Sequence, residues 1–130
     1  MSDEQEKKPA TTGYVIDLDI LRPQKKLIRL ANRTIDVSMV PCGITFEVDK
    51  LVRELTAIDQ SKIQSGGEET RQALDITIKL CSVFASIHNL EMDEKWFREN
   101  VDVLQINKMA EVIKDALVRS YEGVKEYGKN

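Results

Sequence analysis

Histidine is almost missing from this sequence: His88 stands alone, which rules out any metal site built on two histidines and the HExxH zinc motif. Cysteine is scarce too. Cys42 and Cys81 lie far apart, and neither forms a CxxC pair, so both read as reduced thiols acting as small hydrophobes. Without a disulfide framework the expected compartment is reducing, hence cytoplasmic. No apolar stretch approaches a membrane span, and Met1–Gly13 has no apolar h-region, so neither a membrane nor export is expected. Basic excess is absent as well. Nineteen Lys and Arg stand against 22 Asp and Glu, a net charge of -3, which leaves no electrostatic footprint for nucleic acid. Neither GxxxxGK[ST] nor GxGxxG occurs, no unit of 20–50 residues repeats, and heptads do not persist.

What is present suits a folded chain: 42% hydrophobic and 32% charged residues over a length that fits one domain. Residues 1–13 are polar and charged and read as a flexible tail; 14–130 read as one globular domain, with a β portion over 14–41 and a helical portion over 45–125. Tyr14, Ile16, Leu18 and Ile20 alternate with Val15, Asp17, Asp19 and Leu21, which predicts a strand that Pro23 stops. Leu27–Leu30 and Thr34–Val40, joined through Ala31-Asn32-Arg33, predict a β-hairpin because Asn accepts positive φ. Pro41-Cys42-Gly43 ends the sheet.

Thereafter the period becomes helical. Thr45 is the expected N-cap of a first helix, with Glu47 and Asp49 in its first turn and Val48, Leu51, Val52, Leu55 and Ile58 on its apolar face. Ser65-Gly66-Gly67 breaks the pattern. A second helix opens at Glu68-Glu69 and is apolar over a wide arc, with Ile76, Leu80, Val83 and Ile87 beside Leu74, Ile78, Cys81 and Ala85, so it should be central. Met92 and Phe97 flank Asp93 at the spacing of a hydrophobic staple, predicting a short helix to about Glu99. Asp102 and Gln105 form a second capping box before Ile106, Met109, Ile113, Ala116 and Leu117, the stripe of a longer helix that frays at Gly123 and Gly128. The expected fold is α+β, mainly α, a small N-terminal antiparallel β-hairpin or sheet followed by three or four helices.

Catalytic constellations are wanting. Cys81 and His88 are two helical turns apart, roughly 10 Å, too far for a nucleophile and its base. The acids Asp17, Asp19, Glu68 and Glu69 are accounted for by strand and helix-start chemistry. No cofactor and no enzymatic activity are expected. Partner contact has two candidate places. Lys25, Lys26 and Arg29, with Arg22 and Arg33, form the one local basic concentration, and both a charge-protected sheet edge and a docking patch account for them. Trp96 and Phe97 point about 100° apart on a helix, so a core role for both competes with one ring facing a partner. Tyr121 and Tyr127 pose the same choice.

The hairpin Lys26-Leu27-Ile28-Arg29-Leu30-Ala31-Asn32-Arg33-Thr34-Ile35-Asp36-Val37, followed by helices and by Trp96-Phe97-Arg98-Glu99-Asn100-Val101 leading into a last amphipathic helix, resembles the tail assembly chaperones of long-tailed bacteriophages and prophages. The likeness covers about residues 14–120 and is one of layout, with no invariant motif. It implies a non-catalytic protein that binds the tape measure protein and keeps its long hydrophobic helices soluble. In that family a longer frameshifted form recruits tail tube protein, and self-association is compatible with the reading. No catalytic or binding residue transfers, because no position matches a diagnostic one. A structural tail or head-tail connector component, a small protein-binding adaptor and a small enzyme using acidic residues are the alternatives.

Overall fold

A computed structural model describes residues 13–58 and 67–128. The expected tail over 1–12 and the break at Ser65-Gly66 lie outside them. The architecture is α+β and mainly α, as the sequence predicts: a two-stranded sheet, β1 (Leu27–Leu30) and β2 (Arg33–Asp36), and four helices, α1 (Cys42–Thr56), α2 (Glu68–Ser86), α3 (Glu94–Asn100) and α4 (Val103–Gly128).

β1 and β2 pair antiparallel with Ile28 opposite Ile35 and Leu30 opposite Arg33. The two residues between the strands, Ala31 at φ 48° and Asn32 at φ 65°, are both left-handed. A two-residue turn of that hand matches the right-handed twist of the strands. Ile28, Leu30, Ile35 and Val37 face the helices, whereas Leu27, Arg29 and Thr34 face outward. The hairpin is shorter than its apolar run. At Asp36 the carboxylate accepts from both the Ser38 amide at 2.9 Å and the Ser38 hydroxyl at 2.6 Å, and this local turn takes the place of further ladder pairing before Val40.

The strand expected over Tyr14–Leu21 does not form. Asp17 accepts from the Asp19 amide at 3.0 Å and caps a single 3₁₀ turn, Leu18–Leu21. Such short side-chain to backbone bonds compete with a ladder wherever no neighbouring strand is paired. The β portion therefore occupies Leu27–Asp36, a shorter span than 14–41.

Thr45 is not an N-cap. Pro41 holds that position with φ -62°, its missing N–H being one the helix start does not need, and α1 begins at Cys42. Thr45 lies within the helix and donates its hydroxyl to the Pro41 carbonyl at 2.9 Å. Glu47 and Asp49 are past the first turn; Asp49 instead pairs with Arg53 at 2.8 Å, and Ile58 falls beyond the helix end.

α2 is the centre, packed against α1, α3 and α4. Leu80, Cys81, Phe84 and Ala85 are wholly buried, and Thr77 and Ile78 nearly so. Ile87 is exposed at the C-cap, so the buried arc is centred closer to Cys81 than the spacing of Ile76, Val83 and Ile87 suggests. Buried hydroxyls are satisfied locally: Thr77 donates to Ala73 O at 2.7 Å and Ser82 to Lys79 O at 3.1 Å.

Two expected caps form. Asp93 accepts from the Trp96 amide at 2.9 Å, with Met92 and Phe97 of the staple both buried. The Gln105 amide donates to Asp102 at 2.9 Å while Asp102 N–H donates to the Gln105 side chain at 3.0 Å. α4 then buries Ile106, Met109, Ala110, Ile113, Ala116 and Leu117 and continues through Gly123 to Gly128.

Two stability measurements test this reading. Phe84→Ala should lower unfolding free energy by about 3–5 kcal/mol, since no solvent-side relaxation is open to a residue buried on every side. Ala31→Gly should raise it by about 0.5–1 kcal/mol, because the Cβ at φ 48° is strained and glycine removes it. Urea midpoints of both variants against the parent chain provide the check.

Candidate partner-binding surface

Phe46 and Leu90 are each 87% exposed on their own, and seven further apolar residues are exposed in the N-terminal segment and at the start of α4. Tyr14, Val15, Ile16, Leu18, Ile20 and Leu21 are 66–84% exposed, and Leu104 is 79% exposed in the first turn of α4. Exposed leucines occurring singly need no explanation, but six exposed apolar residues within the eight positions 14–21 do. Leu104 sits between two clefts. One, of about 640 Å³, runs between the end of α1, the start of α2 and α4, with Leu55, Ala73, Leu74, Val103 and Ala110 among its lining. The other, of about 320 Å³, runs between β1 and α4 and is lined by Ile28, Leu30, Met109 and Val112. Leu104 and Lys108 border both.

The electrostatics of the two clefts differ. Arg29 and Lys108 rim the β1–α4 cleft, and no acid lines it. In the larger cleft Lys108 pairs with Glu111 at 3.1 Å.

The residues singled out from sequence fall in separate places. Lys25, Lys26 and Arg29 are exposed, and only Arg29 borders a cleft. Phe97 is buried core, and Trp96 is half-buried with its ring edge-on to Phe97 at 5.1 Å and 87°. Arg33 belongs to the face of the hairpin turned toward the helices. Its guanidinium lies 5.6 Å from the Trp96 ring centre and pairs with Glu91 at 2.6 Å, so the indole is already covered by a cation. Trp96 and the basic edge are therefore not one surface, and Arg33 leaves the basic cluster to join α3. Tyr121 on α4 is held against Asp49 of α1. Partial burial first, then the hydrogen bond to Asp49 and its negative charge, raise the phenol pKa, with Arg53 opposing.

Chain similarity adds no assignment. No family model, no curated protein and no solved structure matches this chain.

Of the reactive groups, Cys81 is wholly buried, and burial pushes its thiol pKa up; its Sγ faces the Ile106 carbonyl at 3.7 Å. His88 is exposed and its ring lies 5.6 Å from Phe84. Among the described residues no group of three or more His, Cys, Asp or Glu is placed to hold a metal ion, and no helix is long and apolar enough to cross a membrane.

Two features of this surface escaped the sequence reading. The Tyr14–Leu21 alternation was expected to bury one face. Leu104 carried a signal that went unused: it lies two residues before Ile106, 200° around the helix, and so off the buried stripe.

Asp36, beside the basic edge, has its carboxyl held below the usual carboxylate range, chiefly by the Ser38 hydroxyl and amide; burial opposes this, and Lys25 and His88 add smaller favourable charge effects. A depressed folded-state pKa contributes stability above the unfolded value and loses it as pH falls through the folded one. Asp36→Asn keeps an acceptor and removes the charge. Its stability deficit should be present at pH 7 and should shrink as pH drops below about 4, read from urea midpoints at pH 7 and pH 3.

Proposed function

We propose that this protein works by binding an apolar segment of another protein, and that it is a tail assembly chaperone holding the tape measure protein in soluble form. The observation that carries this reading is the open apolar surface at Leu104, where two clefts meet within reach of solvent. An amphipathic client helix lays its apolar side chains into such grooves at i, i+3, i+4 and i+7, while the polar rim of Asn107, Lys108 and Lys114 keeps the complex hydrated. The hairpin-then-helices layout, which resembles that family, supports the same reading. Holding a client this way requires apolar area and reversibility, and no reactive group. Action in the host cytoplasm, and recruitment of tail tube protein by a longer form, belong to the same proposal.

The test is co-expression with the tape measure protein of the neighbouring gene. The client should stay in the soluble fraction with this chain and precipitate without it. Leu104→Glu should lose that retention while changing unfolding free energy by no more than about 0.5 kcal/mol, since the side chain is outside the core. Equal solubility of the tape measure protein with and without this chain would exclude the reading. A chaperone should also be missing from purified virions by mass spectrometry, whereas a tail or connector component would be present.

A further inference from the structure

We infer that two copies of this chain exchange their Tyr14–Leu21 segments, each segment adding as a strand to the open edge of the partner's β1 and filling the cleft between β1 and α4. This assignment rests on the purified chain's own surfaces and not on the identity of any client.

Among the described residues the sheet has two strands, so one edge of β1 has no strand paired to it. Register settles which groups lie there. Ile28 pairs with Ile35, Leu30 with Arg33, and the Val37 amide donates to Lys26 O at 2.8 Å. In an antiparallel ladder the alternate residues turn their peptide groups the other way, which puts the N–H and C=O of Leu27 and Arg29 along the open edge. An added strand there has one face over the helices and one toward solvent. The helix-facing side meets Ile28, Leu30, Leu104, Met109 and Val112.

The segment has the matching pattern. Ile16, Leu18 and Ile20 are on one face at period two, and Asp17 and Asp19 are on the other. With the isoleucines and leucine over the cleft, both aspartates lie on the outward face, the face of Arg29 on β1, with Lys25 in the connector just before the strand. Opposite charges side by side on a sheet face are favourable, and Asp36, the acid already on that face, lies on β2 opposite Leu27, a strand further away than Arg29. The 3₁₀ turn at Leu18–Leu21 is no barrier, being a single turn with Asp17 as its side-chain cap.

A second copy is favoured over the chain's own β1 by the connector Arg22-Pro23-Gln24-Lys25-Lys26. To return to its own edge the chain must reverse within these residues, of which only Pro23 favours a turn. Arg22 is extended at φ -69° and ψ 135°, Pro23 fixes its own φ and disfavours the helical region before it, and Pro23–Lys26 contains no turn. Fully extended, five residues span up to about 17 Å, enough to cross to a neighbour. Each copy has one segment and one edge, so the exchange closes as a two-fold dimer.

Sedimentation equilibrium of the full chain, without client, is the test. The parent chain should be a dimer. Ile16→Asp/Ile20→Asp, which spoils the donor segment, and Leu104→Glu, which spoils the cleft, alter exposed side chains and should leave the circular dichroism unchanged. Each should raise the dimer Kd by about tenfold or more, because a carboxylate must enter an apolar cleft. Mixed together, the two variants should form a heterodimer with one intact seam, tighter than either variant alone. A parent chain that is monomeric up to about 0.5 mM, with or without its segment docked on its own β1, overturns the inference. So does a dimer indifferent to both variants, or one not restored by mixing. The exchanged segment takes the β1–α4 cleft and leaves the cleft between α1, α2 and α4 to a client, so failure of the tape measure co-expression leaves these outcomes untouched.

Discussion

Burial of α2 on nearly every side is the constraint from which the other placements follow. Leu80, Cys81, Phe84 and Ala85 are sealed from solvent, and no single partner could cover so wide an arc. α1, α3 and α4 each take part of it, and Leu30, Ile35 and Val37 of the hairpin belong to the same buried cluster. The short α3 exists on those terms. Seven residues form a marginal helix alone, yet Asp93 satisfies a leading amide while Met92 and Phe97 anchor both sides of the cap in the core.

That division of apolar surface also determines what is left outside. α4 uses Ile106, Met109, Ile113 and Leu117 against the core, so Leu104, on the opposite side of its first turn, has nothing within the fold to cover it. The hairpin uses one face and one edge, and Tyr14–Leu21 is placed against neither. The aromatic pair at α3 took the other course: Phe97 went to the core, and Trp96 was covered by Arg33, itself tied to Glu91. Partner binding under the proposed reading thus draws on aliphatic grooves beside α4 rather than on the tryptophan.

Much of this was legible in the residues. The Asp93 cap with its staple, the Asp102/Gln105 capping box, the hairpin with its positive-φ Asn32 and the central α2 follow from spacing and chemistry within a few positions of one another, where local rules are strongest. The misreadings have separate causes. A period-two run such as Tyr14–Leu21 specifies a strand only if another strand is there to pair with it, and sequence does not display that neighbour. Thr45 suited a cap by composition, but Pro41 four residues earlier suited it by backbone geometry and prevailed. The partner surface was the least legible part. Arg29 borders one of the two clefts, whereas Lys25, Lys26, Trp96 and Phe97 line neither.

Amide hydrogen exchange of the full chain, with and without a soluble tape measure fragment, most directly tests whether the apolar surface around Leu104 is where partners bind. Added protection should appear at Val103–Lys108 and Thr70–Leu74, which line the cleft between α1, α2 and α4, with Leu80–Ala85 of α2 unchanged because that part is already sealed. Protection confined to the Arg33, Glu91 and Trp96 face, or none anywhere on a fragment that demonstrably binds, would contradict it.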